Sequence, residues 1–388
     1  MDIEEIKPQR SISLVKTCII FFISVVIIFT TARYMSNEDF RSSVNRNIFK
    51  SEVSEDTLKS IDIDNNTNVN IYAYDKYITV LAKNLLLQYD ETGDLVSKLD
   101  VNISVPIMDS AGKFLAIAEN SGQKIYLVSG KEIVWERELE GEISRVSVNE
   151  KGFVSVIIKN TAYKSKIIVF DNSGTDLFTI FLHSNYAICA DISDNSKYLA
   201  VGEVSYSGTI VKSSVYIYSM EKAQTDPKNA VINSYEADGG ELIIGINYNG
   251  SDTAVCMFNS YVQKVTKDSN ERLYDITPYD SFIDISLDSE IAIINRSETG
   301  MFSYEYQIDF KNTLGKSERV YILNQDVPNF VVSNKNKIAV NLGREVEFIK
   351  TSGWLKKKYI SNTTVNSVVL GDSIAGIVYK NKIVIISL

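Results

Sequence analysis

The sequence predicts an all-β protein, a β-propeller of eight blades, preceded by one transmembrane helix. Two observations point to the propeller. From residue 57 onward, short runs rich in Val, Ile, Tyr and Phe alternate with turn clusters, and no helical period of any length intervenes. The same outline returns about every forty residues to the last residue, which is the signature of a repeat architecture. A third observation, the apolar run from Ile12 to Ala32 broken only by Lys16, points to the helix.

The chain has 388 residues, 45% of them apolar, which is ample for a core. Five prolines and 19 glycines argue against a disordered or fibrous chain. A net charge of −9 argues against nucleic acid as a partner, because phosphate binding needs a basic footprint. A single histidine, His183, leaves little room for histidine-based catalysis or zinc chemistry. The three cysteines lack metal-ligand spacing. Cys18 lies in the apolar run, while Cys189 and Cys256 fall in strand patterns and read as small core residues. A disulfide between the latter two is conceivable, but sequence does not supply its geometry.

Residues 1–11 form a short polar tail and 12–33 the span. The uncharged stretch Thr17–Ala32 is 16 residues, about 24 Å as a helix. Lys16 and Arg33 can extend it by snorkelling toward the headgroups. A cleaved signal peptide is the alternative, but the run is long for a signal core. Three basic residues precede the span and four follow it before residue 51, so charge does not fix orientation. A signal-anchor followed by one large domain places that domain outside, which predicts a single-pass protein of the cell membrane with an extracytoplasmic propeller.

Residues 34–56 are rich in Ser, Asn and charge and read as a juxtamembrane stalk. The repeat unit is clearest at 186–219, as three strands: Ala187–Ile192, Tyr198–Val204 and Ser214–Ser219. Hairpin turns between first and second strands recur at 108–119, 148–159, 192–203, 247–258 and 331–342. Turns between third and outer strands carry Gly93, Gly130, Gly174 and Gly353. First strands near 70, 104, 143, 187, 242, 282, 329 and 366 make eight units of about four strands. The last shows three, and its missing outer strand is supplied by 58–63, so that the propeller occupies 57–388 and closes on itself. Seven blades is the alternative count, since boundaries near 220–240 and 300–325 are loose.

The unit DISDNSKYLAVGEVSYSGTIVKSSVYIYS, with GGELIIGINYNGSDTAVCMF after it, resembles an uncharacterised family of membrane-anchored, WD40-like or PQQ-like propellers from anaerobic Gram-positive bacteria. The resemblance implies architecture and surface location and no activity. The Trp-Asp and Gly-His dipeptides of WD40 repeats do not occur. Gly130-Lys131-Glu132-Ile133-Val134-Trp135 is one residue longer than the quinone-propeller motif, and the turn Ser193–Ser196 lacks the glycine of a sialidase Asp box.

Propellers bind at the face of the loops leading into the inner strands. Here those loops hold Glu140, Glu142, His183, Tyr186, Asp238, Glu241, Tyr279, Asp280 and Asp326. Two longer insertions, 205–213 and 297–303, emerge on the same face with Tyr206, Met301 and Phe302 as anchors. The candidate binding face is therefore His183, Tyr186, Tyr206, Asp238, Glu241, Tyr279, Asp280, Met301, Phe302 and Asp326; solvated loop acids are the plainer reading of its carboxylates. The residues carry no catalytic constellation, cofactor motif or metal motif. The function this predicts is a scaffold or accessory subunit of an envelope complex, with the membrane and a protein as partners. The alternatives are a sensor binding a ligand or cell-wall glycan and, with two rim carboxylates suitably spaced, a hydrolase or lyase.

Overall fold

The computed structural model describes residues 10–36, 40, 44, 51–63, 69–159, 162–298, 300, 304–313, 318–323 and 327–388. The chain divides into two units, one ending at Ser54 and one from Glu55 to Leu388. In the first, a helix runs Arg10–Ser36 with Arg33 in its last turn. Its segment Lys16–Ser36 is predominantly apolar, and none of its residues is buried. It is long and apolar enough to cross a bilayer, and a signal sequence has the same properties.

The second unit is a ring of eight antiparallel blades, spanning 69–100, 106–138, 142–182, 186–236, 243–275, 280–322, 330–360 and 367–387. The eighth blade is completed by Ser60–Asp62, which pairs antiparallel with Lys382–Val384. In blade four the first three strands are Tyr186–Ile192, Tyr198–Ser205 and Lys212–Ser219, within two residues of the boundaries expected from sequence. A one-turn helix, Met220–Ala223, and a 3-10 turn, Pro227–Asn229, then precede the outer strand Val231–Glu236. That excursion explains why the repeat is loose near 220–240.

Burial follows position in the blade. Second strands are covered on both faces by neighbouring blades and are continuous apolar runs, as in Phe114–Glu119 and Ile374–Val378. Outer strands are solvated, and in Glu132–Glu138 only Trp135 is buried. The core consists of layers between blades. Ile125, Leu127 and Trp135 of blade two pack with Val154, Val156 and Phe170 of blade three. Ile61 of the closing strand packs with Ile78 and Val80 of blade one and Ile383 and Ile385 of blade eight. Cys189 and Cys256 are both buried and both free, and pack in the layer between blades four and five.

Strand direction sorts the turns. Loops entering the inner strand, and those joining second to third strand, emerge on one face. Turns joining first to second and third to outer strand emerge on the other. Gly174, in such a third-to-outer turn, has φ +80°, and a Cβ there would lie 2.7 Å from Cγ of Trp135. Gly130 occupies the equivalent turn of blade two at φ +58° with open space around it. Gly174→Ala therefore combines overpacking with backbone strain and should cost about 2–4 kcal/mol, whereas Gly130→Ala should cost about 1–2 kcal/mol. Urea denaturation of the two variants checks the order; equal losses would show that Trp135 yields freely.

Candidate functional site

The described members of the predicted set lie in loops of one face, Tyr206 in a second-to-third-strand hairpin and the others near entries to inner strands, and are not drawn into a single site. Tyr186 and Tyr206 meet edge to face, with centroids 5.8 Å apart. His183 is exposed and stands edge-on to Tyr163 at 5.0 Å. Glu241 accepts a hydrogen bond from Ser260 Oγ at 2.6 Å. Asp280 accepts from the Tyr274 hydroxyl at 2.9 Å and from the Thr277 N–H at 2.7 Å, so both carboxylates are occupied in shaping their own loops. Asp238 is exposed, and its carbonyl accepts the N–H of Glu241 at 3.1 Å. Tyr279 is exposed, and its carbonyl accepts from the Arg296 N–H at 3.2 Å. Met301, Phe302 and Asp326 lie outside the described residues.

The same face also exposes apolar side chains. Tyr206, Ile210, Leu242, Ile244, Tyr279, Val327 and Phe330, from loops and strand entries of blades four to seven, are each between 41 and 59% exposed. The hairpin tip carrying Tyr206 and Ile210 is held down: the Gly240 N–H donates to the Val211 carbonyl at 3.0 Å, and Ile210 packs over Gly239. The sequence pointed to Tyr206 and Tyr279 but not to the aliphatic members. Leu242, Ile244 and Val327 occupy strand entries, where their apolar character reads as core, and Ile210 shares the hairpin tip with Tyr206.

A groove of about 730 Å³ opens between the outer strand of blade three and the helical excursion of blade four. Tyr163, Phe181 and His183 line one side and Thr225, Asp226 and Lys228 another. Tyr163 and Phe181 lie 4.7 Å apart, centroid to centroid.

The opposite face holds a feature that sequence reasoning missed. The turns after the inner strands ring the mouth of the central channel, a cavity of about 270 Å³ lined by Asp75, Asp109, Glu150, Asp191, Asp194, Asp288 and Asp372, with Lys335 among them. Lys335 Nζ pairs with Glu150 at 3.0 Å and Asp372 at 2.9 Å. Lys335 belongs to blade seven and Glu150 to blade three, so the pair spans the ring. Asp191 accepts from Ser147 Oγ at 2.5 Å and from the Tyr248 N–H at 2.6 Å, joining blades three, four and five. Asp109 accepts from the Val148 N–H at 2.7 Å. The available signal was the aspartate ending the inner strands, in Met108-Asp109-Ser110 and Ala190-Asp191-Ile192. Among the described residues, no three His, Cys, Asp or Glu side chains come together as a metal-binding group.

Burial pushes the Asp191 carboxyl up to about 7, against the hydrogen bonds from Ser147 and Tyr248, and the nearby Asp109 adds to the rise. Burial likewise pushes Asp109 up to about 6. Asp194 rises to about 6 through burial, then through Glu150 and Asp191.

The molecule is thus defined as an eight-bladed β-propeller with a polar channel mouth on one face and an apolar sector on the other. Residues 49–388 match the profile of a family of unknown function, DUF5711, and the chain belongs to that family. Among solved structures it is similar to BamB from Moraxella catarrhalis, at 10% identity and a TM-score of 0.48, covering 84% of this chain and 96% of that one. It is also similar to the Pan2 WD40 domain of Neurospora crassa, at 12% identity and a TM-score of 0.46, covering 73% and 90%. The Kuenenia stuttgartiensis hydrazine synthase matches at 12% identity and a TM-score of 0.43, covering 82% and 94%. These likenesses are of fold alone. No curated protein matches the chain.

The raised carboxyls link stability to pH. The unfolded chain titrates these groups near 4, while the folded ring holds them protonated to about 6 or 7. Between those values the folded state binds more protons, so the stability they contribute is present below about pH 4 and lost as pH rises through about 7. The melting temperature should be higher at about pH 5 than at about pH 8, and Asp191→Asn should flatten the difference. A melting temperature that climbs toward pH 8 would contradict the burial described.

Proposed function

We propose that this protein is a membrane-held docking platform: the helix Arg10–Ser36 anchors the chain, and the propeller, outside the cytoplasm, presents the apolar sector of blades four to seven to a protein partner in the envelope. The observation that carries this reading is the sector itself. Single exposed apolar residues are ordinary, but seven on one face, spread over the loops and strand entries of blades four to seven, offer apolar side chains of the kind that interaction sites use. Two tyrosines and a phenylalanine among them are typical interface anchors. The propeller contributes rigidity, so little ordering free energy is lost on binding.

A photo-crosslinking residue placed at Ile244 or Tyr279 in living cells should yield one discrete adduct, whereas the same residue at Lys131, on the opposite face, should not. Equal labelling from all three positions would remove the platform reading.

The groove beside blade three favours a second reading, a carbohydrate ligand. Its volume of about 730 Å³ suits a small ligand, and Tyr163 and Phe181 offer apolar ring faces beside the polar Thr225 and Asp226. Soluble cell-wall fragments should then raise the melting temperature, and Tyr163→Ala should abolish the rise while leaving the unliganded melting temperature close to its starting value. No rise at saturating fragment concentration would exclude this ligand.

A further inference from the structure

The hairpin of blade seven joining Glu345–Lys350 to Leu355–Ile360 puts a tryptophan at its tip and lysines at its base. Trp354 is 74% exposed, whereas the other tryptophan, Trp135, is 6% exposed and packed between blades. The tip is well built. The Gly353 N–H donates to the Lys350 carbonyl at 2.8 Å, the Lys350 N–H to the Trp354 carbonyl at 2.9 Å, and Arg319 Nη1 to the Thr351 carbonyl at 3.1 Å. The indole is therefore held out in water by a rigid turn.

The surrounding charge is positive in a chain of net charge −9. Lys358 is committed to Glu345 and Glu347, and Lys357 donates to the Ser387 carbonyl. Among the described residues, neither Lys350 nor Lys356 has a carboxylate within 4.0 Å. Burial, then the neighbouring Lys350, pulls the Lys356 ammonium below its ordinary range. Burial, then Lys356, does the same to Lys357. An anion placed over this cluster would relieve the repulsion.

We propose that this hairpin is a docking surface for an anionic phospholipid bilayer, with Trp354 seated among the headgroups and Lys350 and Lys356 paired to lipid phosphates. Tryptophan beside lysine is the composition of a membrane interface, whereas protein interfaces are depleted in lysine. Lysines near an anionic surface are attracted to it, and the attraction is screened by salt. The proposal rests on the reading of Arg10–Ser36 as a span, because residues 37–51 would then tether the propeller within about 54 Å of a bilayer.

The test uses the full chain in lipid nanodiscs of phosphatidylcholine, with or without phosphatidylglycerol, reading tryptophan fluorescence as the difference between wild type and Trp354→Phe. In the anionic discs the Trp354 emission should shift to the blue, and acrylamide quenching should fall at least about twofold relative to neutral discs. The protection should disappear in about 1 M salt and in the Lys350→Glu/Lys356→Glu variant. Equal acrylamide access in the two discs, whether high or low, overturns the proposal, as does protection produced in neutral discs by inorganic phosphate alone. A chain that fails to co-elute with either disc overturns the span reading and this one with it, whereas co-elution with a wet Trp354 overturns this one alone.

Discussion

Ring closure is the constraint on which the rest of this structure depends. A blade exposes two apolar faces, and neither is covered until a neighbour stands on each side, so no blade is stable until the ring is complete. Completion needs an outer strand for the eighth blade, and Ser60–Asp62 supplies it from the far end of the sequence. Lys382 pairs with Glu55, and the Ile385 N–H donates to the Lys59 carbonyl at 2.9 Å, so the two ends of the propeller are stitched by charge and backbone as well as by apolar contact. Such a contact joins residues more than three hundred positions apart, and its loop-closure entropy must be overcome before any blade layer gains from it.

Inside the ring, polar bonds pass from each blade to the next. Gln88 donates to the Gly130 carbonyl, Asp109 accepts from Val148, and Asn149 donates to the Ser193 carbonyl. Asp191 accepts from Tyr248, Asn249 donates to the Glu290 carbonyl, and Ser333 donates to Asp284. Asn334 donates to the Leu370 carbonyl, and the Asp372 N–H to the carbonyl of Asp75, which returns the chain of bonds to blade one. Apolar layers alone are tolerant of sliding, whereas each of these bonds has one satisfactory register. They set the angle at which each blade meets its neighbour, and hence that eight blades close the circle.

Much of this was legible in the sequence because the repeat has a local chemistry. Turn glycines such as Gly174, the Asn249-Gly250 turn and the continuous apolar second strands each betray their place in a blade without knowledge of its neighbours. The loose regions were those where local chemistry departs from the repeat, as in the excursion Met220–Asn229. The site was far less legible. Tyr206 and Tyr279 are aromatic residues in loops and could be singled out, but Ile244 and Phe330 look like strand residues and are exposed only because of where their strands begin. Asp109 and Asp191 look like ordinary turn acids. Their burial comes from the convergence of eight turns on one axis, which no single repeat contains.

That convergence also bears on how an acidic channel mouth should be read. Carboxylates gathered around an axis invite the assignment of a cation site, yet Asp109 and Asp191 each already accept from a neighbouring blade, and Lys335 brings a positive charge to Glu150 and Asp372. Buried carboxyls raised toward neutrality are what results when bonding geometry is kept and solvation is lost. The perturbed groups therefore report the assembly of the ring. Two surfaces that stand in water and take no part in this ring of bonds are the apolar side chains around Ile244 and the tip at Trp354. One is apolar and the other aromatic and cationic, and they lie on opposite faces of the disc. On the proposed readings, a partner on the first face would leave the second open, and a propeller anchored by its N-terminal helix could then meet a protein and a bilayer at the same time.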